Sequence, residues 1–134
     1  AHREFFLNTL ECVQTFDCFN CLGHLDYICR YGPYVNKEVE HSLHQDIIDD
    51  IFKTLIHKGK GLEVNTSGYK TRGVCGFPNF EQIQRYYDLG GRIITIGSDS
   101  HTSDRVGEHV EDVIKEYQHI GFQDVSTFTK RVRD

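Results

Sequence analysis

Four segments of the chain carry apolar residues every three to four positions, with charged and amide side chains between them. This spacing is typical of amphipathic helices that bury one stripe against a core. In the third segment, Asn79 followed by Gln82 has the pattern of a helix N-cap with its partner. The pattern therefore predicts helices over about Arg3–Gln14, Asn36–His57 and Asn79–Leu89, and a fourth that starts at Val106 and is closed by Gly121.

The segments between these helices are rich in β-branched or aromatic residues, which is typical of strands. They run over Phe19–Asp26, Gly61–Gly68, Ile93–His101 and Val125–Thr129. Alternate side chains of a strand share a face, so the first three strands are expected to end in polar groups on their inner face. In the first strand, this alternation puts Leu22, His24 and Asp26 inside and Cys21 outside. The inner residues of the next two strands would be Glu63, Asn65, Ser67, Thr95, Gly97, Asp99 and His101.

Helices and strands alternate along the whole chain, which predicts an α/β fold with a parallel sheet, either doubly wound or closed into a barrel. In a parallel barrel the active site lies at the C-terminal ends of the strands. The residues expected to gather there are His24, Asp26, Glu63, Asn65, Asp99 and His101. A closed barrel of this kind needs about 250 residues. This chain has 134 residues and begins with Ala. We therefore expect residues 1–134 to be the C-terminal portion of a single barrel domain.

The charge and composition of the chain argue against several classes of partner. The formal net charge is −5, and the Lys and Arg residues are scattered, which does not fit a nucleic-acid-binding surface. No apolar run approaches the roughly 20 residues of a membrane-spanning helix. Five cysteines, an odd number, without an apolar signal segment favour a reducing cytoplasm over secretion.

Asp99 and His101 stand two positions apart, after the apolar run Ile93–Ile96 and a turn of small residues. Asp supplies a hard oxygen ligand and His a neutral imidazole, a combination that suits zinc, iron or manganese. The sequence thus predicts a metal site at this strand end. The alternative is an ordinary strand end whose polar residues cap the following helix.

The cysteines suggest a competing metal site. Cys18 and Cys21 have the spacing of half a structural zinc site, and Cys12 and Cys29 flank them. Against this hypothesis, Cys18 and Cys21 lie in or beside a strand in which their side chains would point to opposite faces. Free cysteine is also a common buried apolar residue, so the four-cysteine site is the weaker hypothesis.

Three segments occur in the order and at the intervals found in the polymerase-and-histidinol-phosphatase (PHP) family. They are Gly23-His24-Leu25-Asp26, the LEVNTSG segment at residues 62–68, and Gly97-Ser98-Asp99-Ser100-His101. The chain most closely resembles the histidinol-phosphatase branch of that family, and the likeness covers nearly all of its length.

This resemblance implies a distorted barrel of seven β/α units with a trinuclear centre of divalent ions, either zinc, iron or manganese. It also implies that His24, Asp99 and His101 are metal ligands. The implied activity is hydrolysis of L-histidinol phosphate to L-histidinol and phosphate, a step of histidine biosynthesis.

The resemblance further assigns residues to the substrate. Arg30 would bind the phosphate, and a second contact would come from Lys70 or Arg72. Arg is suited to a bidentate grip on phosphate, whereas Lys serves as a point charge. Either Asp26 or His101 would protonate the leaving oxygen, and the motifs do not decide between them.

The sequence also departs from the family. The family's sequences carry a His-x-His motif near their start and further His and Glu ligands after it, and these are absent from this chain. His41-x-x-His44 does not replace them: it lies within a predicted helix with different flanks, and we expect it on a solvated face. The other helical histidines, His2, His57, His109 and His119, are expected at the surface. Three ligands cannot complete the centre, so we expect this polypeptide by itself to be inactive.

Two further functions stay open at this point. One is a PHP-type phosphoesterase for another substrate or attached to a polymerase, and the other is a non-catalytic domain that has lost its early ligands. The acidic charge and the Asn65-Thr66-Ser67-Gly68 segment favour the small-molecule enzyme.

Overall fold

A three-stranded parallel sheet forms the centre of the structure. The computed structural model describes residues 2–30, 41–69 and 76–134, without the side chains of Cys29 and Arg30. The strands β1 (Cys21–Leu22), β2 (Gly61–Asn65) and β3 (Ile94–Gly97) lie in that order, with β2 in the middle. The helices are α1 (His2–Thr15), α2 (Gln45–His57), α3 (Phe80–Asp88) and α4 (Val110–Ile120). The predicted alternation around a parallel sheet is confirmed from α1 to α4.

Most of the predicted helices agree with the structure. Asn79 caps α3 by accepting a hydrogen bond from the Gln82 amide at 3.1 Å, as its position in the sequence predicts. Of the helix predicted over Asn36–His57, residues 45–57 are α2, residues 41–44 form a 3₁₀ turn, and residues 36–40 lie outside the described residues. Within the described ranges, every helix is too short or too polar to cross a bilayer.

The prediction that the last helix begins at Val106 is wrong. The side chain of Val106 is 71% exposed, and α4 begins four residues later at Val110. Between these positions Gly107 and His109 have φ values of +78° and +62°. Left-handed backbone cannot continue a right-handed helix, so the segment just before Val110 is part of a loop.

The register of the sheet reverses one predicted face. Leu22 is paired with Leu62, and Leu62 with Ile94, so these three side chains lie on one face. That face is the core, because Leu62 and Ile94 are fully buried. The prediction that Leu22 lies inside with the polar groups is therefore wrong, and Cys21 shares the face of Glu63 instead. β1 spans two residues, too few for alternation in the sequence to set its phase.

The chain ends in an antiparallel hairpin in place of the predicted strand Val125–Thr129. β4 (Phe128–Thr129) pairs with β5 (Val132–Arg133). Lys130 and Arg131 between them have φ values of +48° and +70°, the left-handed pair that closes a two-residue hairpin. The final segment thus turns back on itself, and the Ser126 amide before the hairpin donates to the Ile94 carbonyl of β3 at 2.8 Å.

Helix α2 buries apolar side chains in the core and forms an ion pair with α3. Its Ile48, Ile51 and Phe52 side chains are fully buried. On its outer side Asp49 accepts two bonds from Arg85 of α3, from Nε to Oδ1 at 3.1 Å and from Nη2 to Oδ2 at 2.6 Å. These bonds to the Arg85 guanidinium hold the pKa of Asp49 below its usual value.

Candidate active site

A cleft of about 280 Å³ opens at the C-terminal ends of β2 and β3. This is the edge at which ligands bind in parallel α/β sheets. The cleft is lined by residues that follow the two strands and by the loop that leads to α4. They are Thr66, Ser67, Ser98, Asp99, Ser100, His101, Thr102, Arg105 and Glu108.

The turn after β2 is held by the side chain of Asn65. Its Oδ1 accepts a bond from the Ser67 amide at 3.0 Å, which forms a local turn around Thr66. The Thr66 amide donates to the Gly97 carbonyl at 2.7 Å and so ties this turn to the end of β3. The backbone of Asn65 also exchanges bonds of 2.9 and 3.0 Å with Phe77. This end of the sheet is therefore fixed by backbone contacts on both sides.

The predicted ligands Asp99 and His101 lie in one tight turn on the cleft wall. Asp99 has a φ of +47°, and Nδ1 of His101 lies 2.9 Å from the carbonyl oxygen of Asp99. A carbonyl oxygen only accepts, so Nδ1 carries the proton and the lone pair of the imidazole is on Nε2. A histidine held in this way through one nitrogen presents the other to a metal ion.

His24 is placed by a turn, not by the alternation of a strand, and it is not among the residues that line the cleft. It follows β1 with a φ of +45°, and its ring stacks on that of Tyr27 with a centroid separation of 4.3 Å. The hydroxyl of Tyr27 donates to Oδ2 of Asp99 at 3.3 Å. Tyr27 thus connects two of the predicted metal ligands, a contact that strand periodicity does not reveal.

Asp26, a predicted proton donor, is enclosed in the protein. It is fully buried, its Oδ2 lies 3.2 Å from Nε2 of His41, and it is absent from the cleft wall. The expectation that His41 lies on a solvated helix face is wrong, because it is only 9% exposed. His41 belongs to a 3₁₀ turn, which rotates by about 120° per residue, so a helical wheel misplaces it.

Glu63 occupies the polar face of the sheet between two glycines. A Cβ added at Gly97 would come within 2.6 Å of Glu63 Oε2, and one at Gly23 would lie 3.8 Å from Oε1. Asn65 Nδ2 donates to Oε1 at 3.4 Å. The absence of a side chain at Gly97, the last residue of β3, therefore makes room for this carboxylate, whereas a Cβ at Gly23 would make only an ordinary van der Waals contact. The sequence placed Glu63 on the inner face without giving it a role.

The competing cysteine site has little support among the described side chains. Cys12 and Cys18 are exposed, and burial raises the pKa of the Cys21 thiol, which disfavours the thiolate that binds zinc. The fourth member, Cys29, has its side chain outside the described residues.

The predicted phosphate contacts are described only in part. Arg30 ends the 3₁₀ turn Tyr27–Arg30 with its side chain outside the described residues, and Lys70 and Arg72 lie outside them altogether.

The cleft wall does hold a cation that the sequence did not single out. Arg105 donates from Nε to Glu108 Oε2 at 2.8 Å, and this bond lowers the pKa of Glu108. Both side chains are therefore charged at neutral pH.

The donor chemistry of the cleft fits a divalent metal, although the number of donors is small. Histidine nitrogen and carboxylate oxygen suit zinc. His101 is oriented by its contact with the Asp99 carbonyl, and the Asp99 carboxylate by the hydrogen bond from Tyr27. Among residues 2–30, 41–69 and 76–134, no three His, Cys, Asp or Glu side chains converge as a complete metal-binding group. A metal held here needs further ligands beyond the described side chains.

No family model matches the chain. Sequence comparison finds the histidinol-phosphatase of Lactococcus lactis, 34% identical over 129 residues, which cover 96% of this chain and 48% of that protein. A protein of Thermotoga maritima named "probable histidinol-phosphatase" is 35% identical over 97% of this chain and 53% of its own length. The chain thus spans about half the length of the curated relatives it matches.

A solved structure has a similar fold. The crystal structure of histidinol phosphate phosphatase from Lactococcus lactis, complexed with zinc, L-histidinol and phosphate, matches with a TM-score of 0.88 at 34% identity. The match covers 99% of this chain and 50% of that one. The observed arrangement of helices around a parallel sheet is therefore that of half of a histidinol phosphate phosphatase structure.

Proposed function

We propose that this chain is the C-terminal half of a metal-dependent phosphatase that hydrolyses L-histidinol phosphate to L-histidinol and phosphate. The observation that carries this proposal is the likeness, at a TM-score of 0.88 and 34% identity, to a structure holding zinc, L-histidinol and phosphate. The cleft at the ends of β2 and β3 supports it, because Asp99 and His101 lie on its wall. The enzyme would serve histidine biosynthesis in the cytoplasm.

The intact fold would be the distorted seven-unit barrel of the PHP family. The described sheet has three parallel strands, with β1 and β3 at its edges. Its polar face carries Glu63 and ends near Asp99, as expected for the interior of a barrel with its site at the C-terminal rim. The preceding half of the protein would add strands at these edges and supply the remaining metal ligands. Without them the 134-residue chain would be inactive.

His24, Asp99 and His101 would hold metal ions in a centre that the family resemblance makes trinuclear, with zinc, iron or manganese. Divalent ions supply a nucleophile at neutral pH and stabilise the charge that develops on the attacking and leaving oxygens. The role of His101 as a ligand draws on its Nε2, since Nδ1 is engaged with the Asp99 carbonyl. Its alternative role as proton donor would need that same nitrogen.

Asp26 is better suited to support than to proton transfer. Its complete burial and its contact with His41 keep it away from the cleft, so a leaving oxygen there would not reach it. It lies two positions after His24, in the turn that carries that histidine. We assign it to holding this turn, and we assign His101 to the metal.

The substrate would lie along the cleft with its phosphate toward the metals. Arg30 and either Lys70 or Arg72 would hold the phosphoryl oxygens, where a guanidinium offers two parallel donors. L-histidinol phosphate also carries an ammonium group. Glu108, ionised beside Arg105 on the cleft wall, has the charge to bind that group.

The direct test is phosphate release from L-histidinol phosphate by the full-length protein. The proposal predicts a kcat/KM at least about 100-fold above that for p-nitrophenyl phosphate, because the latter lacks the groups that the cleft would bind. A chelator should abolish the activity, and added Zn²⁺ or Mn²⁺ should restore it. No release after the metal is restored, or equal rates on both substrates, would reject the proposal.

A further inference from the structure

The ends of all three parallel strands meet at the side chain of Tyr27. His24 follows β1, Phe77 is paired with the last residue of β2, and Asp99 follows β3. Tyr27 contacts each of these residues. Building on the proposed function, we propose that Tyr27 is a positioning residue that holds His24 and Asp99 in the orientation in which they bind metal.

The first contact is a ring stack. The rings of His24 and Tyr27 are 4.3 Å apart at an interplanar angle of 21°. The left-handed backbone of His24, with a φ of +45°, brings its imidazole over the phenol. An imidazole that donates its lone pair to a cation becomes more positive, and an electron-rich aromatic face stabilises positive charge. The stack therefore orients the ring and favours its metal-bound form.

The second contact is the hydrogen bond from the Tyr27 hydroxyl to Oδ2 of Asp99 at 3.3 Å. A bond to one oxygen restricts rotation of the whole carboxylate, and so sets the directions in which its lone pairs point. Asp99 needs this restraint, because its backbone lies in the left-handed region with a φ of +47° at the exposed end of β3. Hydrogen bonds of this kind to metal-binding carboxylates contribute to affinity.

The third contact keeps Tyr27 itself in place. Its ring packs against that of Phe77 in a T-shaped arrangement, with a centroid separation of 5.9 Å and an interplanar angle of 76°. Phe77 is fully buried, and its backbone exchanges two hydrogen bonds with Asn65 at the end of β2. Tyr27 is thus supported by the rigid central strand while it touches residues that follow both edge strands.

Substitutions at Tyr27 separate these contributions. Tyr27→Phe keeps the ring and removes only the hydroxyl, whereas Tyr27→Leu also removes the stack. Tyr87→Phe is the matched control, because Tyr87 packs against Arg92 and Phe122 and not against the residues that Tyr27 contacts. The measurement is the zinc affinity of the full-length protein by competition with a chromophoric chelator, with the thermal midpoint recorded for each variant.

We expect Tyr27→Phe to weaken zinc binding about 10-fold and Tyr27→Leu about 100-fold, since loss of an outer-shell partner costs this much. The thermal midpoint of the metal-free Tyr27→Phe protein should match that of Tyr87→Phe. Cobalt substituted for zinc should show a changed visible spectrum in Tyr27→Phe and an unchanged one in the control. If wild type binds zinc and Tyr27→Phe binds it equally well, the role of Tyr27 is refuted and the proposed function stands. If wild type takes up no zinc, both fail.

Discussion

Asp26 and His41 lie next to each other in the interior, with Oδ2 of the carboxylate 3.2 Å from Nε2 of the imidazole. They come from different parts of the chain, the turn after β1 and the 3₁₀ turn before α2. Asp26 is fully buried, and a buried carboxylate is costly unless it is paired or hydrogen-bonded. This contact therefore joins the segment that carries His24 to the helix that fills the core.

Removal of the imidazole should destabilise the whole fold. His41→Ala removes the imidazole that lies 3.2 Å from the buried Asp26 carboxylate, so we expect the free energy of unfolding to fall by about 3 kcal/mol. Urea unfolding followed by circular dichroism measures this change. His57→Ala is the control, because His57 is an exposed histidine at the end of α2 and should change stability very little. Equal effects of the two substitutions would rule out a structural role for the buried pair.

The ion pair between Asp49 and Arg85 should make stability depend on pH in the acidic range. The folded-state pKa of Asp49 lies below the ordinary value of 3.8, chiefly through its hydrogen bond with Arg85. The pair therefore contributes stability above pH 3.8 and loses it as the pH falls through the folded-state pKa. Asp49→Asn should lower the thermal midpoint at pH 7, and the difference from wild type should shrink steadily below pH 3.8. A difference that stays constant down to pH 2 contradicts this reasoning.

Glu108 should affect recognition of the substrate more than the chemical step. If it binds the ammonium group of L-histidinol phosphate, Glu108→Gln raises KM about 5-fold, as expected for an exposed ion pair, with kcat little changed. For a phosphate ester without an ammonium group the substitution should leave KM unchanged. Glu111→Gln provides the control, since Glu111 is exposed on α4 outside the cleft wall. The same KM increase on both substrates would argue against a contact with the ammonium group.

The sequence predicts the buried parts of β2 and β3 well, because alternation there runs long enough to define a face. It extends both strands too far: they end at Asn65 and Gly97, and Asp99 lies in a left-handed turn beyond β3, outside the strand alternation. Leu62 and Ile94 are core residues, as the pattern requires, and Asp99 and His101 lie on the wall of one cleft. The first strand is different. Only two of its residues are paired, too few for the alternation in the sequence to show which side chain lies on which face of the sheet. Leu22 lies on the face opposite to the predicted one.

Long-range contacts account for most of what the sequence did not reveal. His24 is linked to Asp99 through Tyr27, whose ring stacks on His24 and whose hydroxyl bonds to Asp99, 72 residues further along the chain. Similarly, His41 is buried because Asp26 lies opposite it, and no local periodicity encodes that pairing. The hairpin at Lys130 and Arg131 was also missed, since neither residue is the Gly or Asn that usually signals such a turn.

The central claim is that the turn at Asp99 helps to hold the metal on which phosphate hydrolysis depends. The most direct test is to measure zinc content and turnover of L-histidinol phosphate together in full-length Asp99→Asn. Asn tolerates the left-handed backbone at this position, so the turn should survive the change. Asp104→Asn is the control, because Asp104 is an exposed neighbour absent from the cleft wall. We predict that Asp99→Asn loses bound zinc and at least about 100-fold in turnover, with the control unaffected. Full zinc occupancy with unchanged turnover in Asp99→Asn would contradict the account.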